Sequence, residues 1–168
     1  MATSASAANS AVAPPMMASR CSQNAMMSQA NAATGPTTFS GAVSVGSASL
    51  QGPSVAFGST LTAQGSIAIS ADEIDFAGTV ASTGGGNLLL QPISPGLGIN
   101  LGSAAGATSN LDLTAGELGL ISAGFGGVTI GQAGGSHLVT IGAAGFDNPL
   151  LVRTGTGGGG VVVNGAFT

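Results

Sequence analysis

The stretch VTIGQAGGSHLVTIGAAGFDNPLLVRTGTGGGGVVV, residues 128–163, decides the fold. It carries four aliphatic doublets at i and i+2: Val128 with Ile130, Val139 with Ile141, Leu150 with Val152, and Val161 with Val163. Each lies 11 residues beyond the one before. Residues two apart on a strand point to the same face, so every doublet offers one short strand with two apolar side chains on one side. Gly, Ser, Asn and Pro fill the intervals, and those are the residues of tight turns. Four repeats of both members are not the product of irregular loops.

Upstream the doublets continue at a different pitch. Val43 with Val45, Ala48 with Leu50, Val55 with Phe57, Leu61 with Ala63, Ile67 with Ile69 and Ile74 with Phe76 recur every five to seven residues. Every third doublet repeats at 18 or 19 residues, as in 43 to 61, 48 to 67 and 55 to 74. Three short strands per turn of chain is the rhythm of a solenoid. After Gly84-Gly85-Gly86 the spacing widens, with Leu88 and Leu90, Ile99 and Leu101, and Leu111 and Leu113 at intervals of 11 and 12. An antiparallel sandwich would need longer alternating strands and two-residue hairpins. The predicted fold is therefore all-β, a right-handed parallel β-helix (β-solenoid) in which doublets of successive turns stack into aliphatic ladders. A short helix interrupts it near residues 115–123, because Thr114 and Glu117 have capping-box spacing and Gly124 offers a stop. It belongs at a corner of the coil.

Composition agrees with stacking and excludes much else. The chain has 168 residues, 30 of them glycine, with 6 acidic residues, 2 arginines, no lysine and a formal net charge of −4. Small residues at corners let rungs approach at the strand spacing, and identical charges stacked along a ladder would repel. Catalytic and metal sites are assembled from clustered His, Cys, Asp, Glu and Lys, which are scarce here, so the chain is expected not to be an enzyme. Phosphate contacts need grouped cations, and Arg20 and Arg153 stand far apart, so no nucleic-acid partner is expected. No apolar run approaches the about 18 residues of a membrane helix, and no membrane span is expected. Near Met1 no charged segment precedes an apolar run, so an ordinary signal peptide is not expected there. Cys21 is alone and reads as a small apolar filler.

Residues 1–36 form a separate segment, rich in Ala, Ser, Asn and Met and free of glycine until Gly35. Pro14 and Pro15 can start a helix over Met16 to Ala33 that Gly35 and Pro36 stop, and on composition a low-complexity disordered tail is the equal alternative. The division is thus an amino-terminal extension, 1–36, serving as a helical cap or inter-subunit arm, and a solenoid domain, 37–168.

The segment LDLTAGELGLISAGFGGVTIGQAGGSHLVTIGAAGFDNPLLVRTG, residues 111–155, resembles the repeat region of large bacterial filamentous-haemagglutinin-type surface proteins. The likeness extends to ISADEIDFAGTV at 69–80 and GNLLLQP at 86–92, about two-thirds of the chain. It is carried by LTAGEL, by the GFGGVTIGQAGGSHLVTIG rungs and by FDNPLLVR. The resemblance implies a right-handed parallel β-helix exported to the cell surface, acting as a rod, an adhesin or a matrix component.

A solenoid leaves unpaired backbone groups on its last rung. Val161, Val162 and Val163 form such a rung, uncharged and β-branched, with only Asn164 to Thr168 following to cover it. Met16, Met17, Met26 and Met27 of the extension can cover the first coil or complete a neighbour's. The expected assembly interface is therefore Met16, Met17, Met26, Met27, Val161, Val162, Val163 and Phe167. The expected partner is the chain itself, polymerising head to tail into an extracellular or cell-surface filament. The alternative is a surface adhesin with glycans as ligands, displayed on a groove along the coil.

Other candidates are weaker. Asp72, Glu73 and Asp75 are one acidic cluster, but calcium-binding β-rolls repeat GGxGxD turn after turn and this chain does not, so no metal site is expected. His137 stands without a second His, Cys or Asp nearby and reads as a polar surface residue. Gly157 to Gly160 lack the Lys of a phosphate loop. No catalytic residue and no cofactor are expected.

Overall fold

The computed structural model describes residues 30–32, 34–102, 110–166 and 168. It is a parallel β-solenoid of about six turns. The strands are β1 (Ala30–Ala32), β2 (Thr37–Phe39), β3 (Val43–Val45), β4 (Ala48–Phe57), β5 (Leu61–Ala63), β6 (Ile67–Phe76) and β7 (Val80–Ser82). They continue as β8 (Asn87–Gln91), β9 (Gly98–Leu101), β10 (Asn110–Leu113), β11 (Gly127–Ile130), β12 (Leu138–Ile141), β13 (Leu150–Val152) and β14 (Gly160–Val163), with helix α1 (Ala115–Leu118) after β10.

The 18- and 19-residue spacings are the stacking register. Val43 pairs with Leu61, Ala48 with Ile67, and Val55 with Ile74, all parallel. Four doublets expected as separate strands are instead joined in two pairs: β4 runs unbroken from Ala48 to Phe57, and β6 from Ile67 to Phe76. Each bends where burial stops alternating. Gly52 and Val55 are buried with Pro53 and Ser54 between them, and Ala71 and Ile74 are buried with Asp72 and Glu73 between them. Two successive residues left off the inner face turn the strand from one wall to the next. Pro53 sits at such a bend, where its missing N–H costs the ladder little.

Three walls result. The first is β1, β4, β6, β8, β11 and β13 in that order, the third is β3, β5 and β7, and a bridge from Val80 to Ile121 prolongs the third. The second wall begins with β2 on the far half of β4 and ends with β10, β9, β12 and β14. Its order departs from the chain. β10 pairs with β9 yet packs beside β6, and the Phe76 amide donates to Glu117 Oε1 just beyond β10. The chain thus lays β9 one level ahead and then fills the gap with β10.

The 11-residue series turns out to alternate between walls. Val128 stacks on Leu150 and Val139 on Val161, each pair 22 residues apart. A step of 11 carries the chain from the first wall to the second within one rung. The ladders fill the interior: Leu88, Leu90, Ile99, Leu101, Leu111 and Leu113 have no exposed surface.

The capping box forms as its spacing predicts. Thr114 Oγ1 accepts from the Glu117 amide, and Glu117 Oε2 accepts from the Thr114 amide. The helix is shorter than expected, ending at Gly119 rather than Gly124, because Ile121 is drawn into the bridge with Val80. Gly124 instead makes a turn at φ +113°, and Asn148 holds that turn by accepting from the Gly124 and Phe125 amides and donating to the Ser122 carbonyl. Of the helix expected over Met16 to Ala33, residues 30–32 are strand β1, paired with Ser49–Gln51. Residues 16–29 and Ala33 lie outside the described residues.

Candidate assembly surfaces

Asp72, Asp112, Glu117 and His137 are engaged in hydrogen bonds that hold the coil together. Asp72, at the bend of β6, accepts from the Ile93 and Ser94 amides at 3.0 and 2.8 Å and from the Ser94 hydroxyl at 2.6 Å, tying its rung to the next. Asp112 is buried and accepts from Asn100 Nδ2 at 2.7 Å. Among the described residues no group of His, Cys, Asp and Glu is placed to hold a metal. His137 corrects the sequence reading: it has no exposed surface. Its Nε2 lies 2.7 Å from the Arg153 carbonyl, which can only accept, so the ring donates there. The side chain is a strut between two rungs, missed because its partner is a backbone carbonyl 16 residues away.

Glu73 and Asp75 gather with Asp112 and Glu117 where β10 packs on β6. Desolvation, then the neighbouring Asp75, Asp112 and Glu117 carboxylates, raise the Glu73 carboxyl above its usual range. Desolvation and then Glu117 raise Asp75 likewise. A raised native value means the folded chain holds its proton more tightly than the unfolded chain does. Stability therefore falls as pH rises through the carboxylate range and recovers below it. Glu73→Gln is expected to raise the urea midpoint at pH 7, by an amount worth roughly a few tenths of a kcal/mol for a partly exposed charge. At about pH 3, where both forms are neutral, the midpoints should converge. An equal gain at both values would show that charge is not the cause.

The two ends of the coil remain. On β14, Val161 pairs with Val139 and Val163 with Ile141, both core residues, so the valines occupy inward positions. They are nevertheless 46% and 59% exposed, and Val162 is 42% exposed on the outward side. Of the described residues that follow, Asn164, Ala166 and Thr168 pair with the preceding rung, through Asn164 N to Ile141 O, Ala144 N to Ala166 O, and Phe146 N to Thr168 O. Leu150 and Val152 on β13 prolong the Val128 and Ile130 ladders at the same edge and are half-buried. Leu138 and Leu151, each about half exposed, face outward beside them.

At the opposite end the first and second members of the ladders line a partly open cavity of about 210 Å³. Phe39, Val43, Val45, Leu50, Val55 and Phe57 are among its walls. Phe39 heads a column of rings, 4.8 Å from Phe57, which is 6.0 Å from Phe76. The sequence reading did not single out this mouth, although the signal is present: Phe39, Val43 and Val45 each begin a ladder. Met16, Met17, Met26, Met27 and Phe167, expected at the interface, lie outside the described residues.

No known family matches the chain, and neither a curated protein nor a solved structure matches it. The parallel coil agrees with the β-helix implied by the filamentous-haemagglutinin resemblance, and that resemblance rests on the quoted motifs alone. No helix among the described residues is long and apolar enough to cross a membrane.

Proposed function

We propose that this chain is a non-enzymatic extracellular structural protein, the subunit of a head-to-tail β-solenoid filament. The observation that carries this reading is the pair Val161 and Val163: inward ladder positions, uncovered at one tip, while the other tip opens an apolar cavity. A contact between two different ends of one molecule does not close on itself, and repeating it generates a fibre. The extracellular setting follows the haemagglutinin-type resemblance.

Magnitudes set what the contact must include. Covering two half-exposed valines contributes about 1 kcal/mol each. Micromolar association requires about 8 kcal/mol. The valines therefore cannot hold two copies together alone, and the whole end, cavity and backbone edge included, has to engage. Light scattering and electron microscopy of the purified 168-residue chain test this. Scattering mass is expected to grow with concentration, and micrographs to show unbranched filaments. Monodisperse monomer across the range overturns the reading.

A further inference from the structure

We propose that copies join by parallel strand pairing in one register, β14 of one on β2 of the next and β13 on β1, an inference that rests on the filament reading above. Direction permits it. All strand pairings among the described residues are parallel, so copies related by translation along the coil present edges that run the same way. Among the described residues β14 and β13 end their walls at one tip, and β2 and β1 begin them at the other.

The pleat sets which residues share a face, and full overlap of β14 with β2 sets the register. Val161 and Val163 point inward on β14, as their partners Val139 and Ile141 do. On β2 the inward residues are Thr37 and Phe39, which stack on Val55 and Phe57. Parallel partners share a face, so Val161 sits over Thr37, Val163 over Phe39, and Val162 over the exposed Thr38. Val163 then covers the free face of the ring column that Phe39 begins.

The two ends differ in rung type, and inside the molecule the same two rung types meet by strand pairing, in the opposite order. Corresponding positions on the first and second walls are 7 residues apart at the mouth, as in Ala48 and Val55, and 11 apart at the tip, as in Leu150 and Val161. Inside the coil β8 pairs in register with the near half of β6 while β10 packs beside β6 as well, so an upper-type rung rests on a lower-type one. Charge does not oppose the contact. Residues 34–71 contain no charged side chain, and residues 148–168 contain only Arg153.

Cysteine pairing tests the register. In a Cys21→Ser background, chains carrying Thr38→Cys and chains carrying Val162→Cys are mixed, assembled and oxidised with oxidised glutathione. Both positions face outward, and circular dichroism verifies that the coil is retained. Strand neighbours at about 4.8 Å fall within disulfide range. A disulfide-linked dimer is expected on non-reducing gels, and about tenfold less of it when Ser40→Cys replaces Thr38→Cys. Filaments with no dimer, or with equal dimer from Ser40→Cys, overturn the register and leave the filament standing. Absence of filaments from the unsubstituted chain overturns both.

Discussion

Leu90→Ala is expected to lower the free energy of unfolding by about 2–5 kcal/mol, read as a fall in the urea midpoint at unchanged slope. Leu90 has no exposed surface and lies in one ladder with Ile69 below and Ile130 above. The cost of such a deletion depends on whether the site can collapse. Here it cannot readily do so, because Ile69 and Ile130 are fixed by backbone pairing at the strand spacing, and shrinking the hole would break ladder hydrogen bonds on both sides. Val163→Ala offers the contrast. It stands in an equivalent inward position, but 59% of it is exposed, so its loss from the dilute monomer should cost roughly 0.5 kcal/mol or less. If Val163 is roofed by Phe39 of the next copy, the same substitution should weaken assembly while leaving the monomer's midpoint unmoved. Equal losses for Leu90→Ala and Val163→Ala in the monomer would show that the tip is already covered.

The ladders explain why some of the architecture is legible in the residues and some is not. Spacings of 18 and 19 between Val43 and Leu61 or Val55 and Ile74 report stacking directly, because those rungs are traversed once per turn with constant length. The step of 11 reports a move between walls, and no property of the doublets distinguishes one wall from another: Val128 and Val139 carry the same pattern. The inversion of β9 and β10 is hidden for the same reason. Ile99 and Leu101 bury as well one level up as one level down, and only the packing of β10 beside β6 settles their order. Among the expected interface residues, the exposed valines at the tip were legible because an aliphatic doublet recurs there a last time; their exposure is what the structure adds. The mouth escaped notice because a ladder's first member looks like any other. Polar burial was missed where partners are remote: Asp112 and His137 meet theirs 12 and 16 residues away, across rungs whose order had first to be known.

Glycine at the corner before the first wall carries the second large effect. Gly86→Ala is expected to cost roughly 3 kcal/mol, the upper range for forcing extra volume into a packed site. A Cβ at Gly86 would overlap the carbonyl of Gly65 on the rung below and lie 2.5 Å from the Ser66 nitrogen. These are backbone atoms, which cannot rotate aside as a side chain can, so the two rungs would have to part. The parting would fall on a dense set of contacts. Ser82 Oγ accepts from the Gly86 amide at 2.9 Å and donates to the Gly65 carbonyl at 3.2 Å, while the Gly86 carbonyl accepts from the Gly126 amide at 3.0 Å. Its neighbours supply the comparison. Gly85 has φ +71° but open space around it, so Gly85→Ala is expected to cost only the roughly 1–2 kcal/mol of a left-handed backbone. Gly134 has open space and no positive φ, and Gly134→Ala should leave the midpoint within roughly 0.5 kcal/mol. Thermal and urea denaturation of the three variants rank close approach against backbone conformation. The order Gly86, Gly85, Gly134 supports rungs in backbone contact at this corner; a Gly86→Ala loss no greater than that of Gly85→Ala would mean that the rungs yield, and that the stacking distance along the coil is softer than the ladder pairing implies.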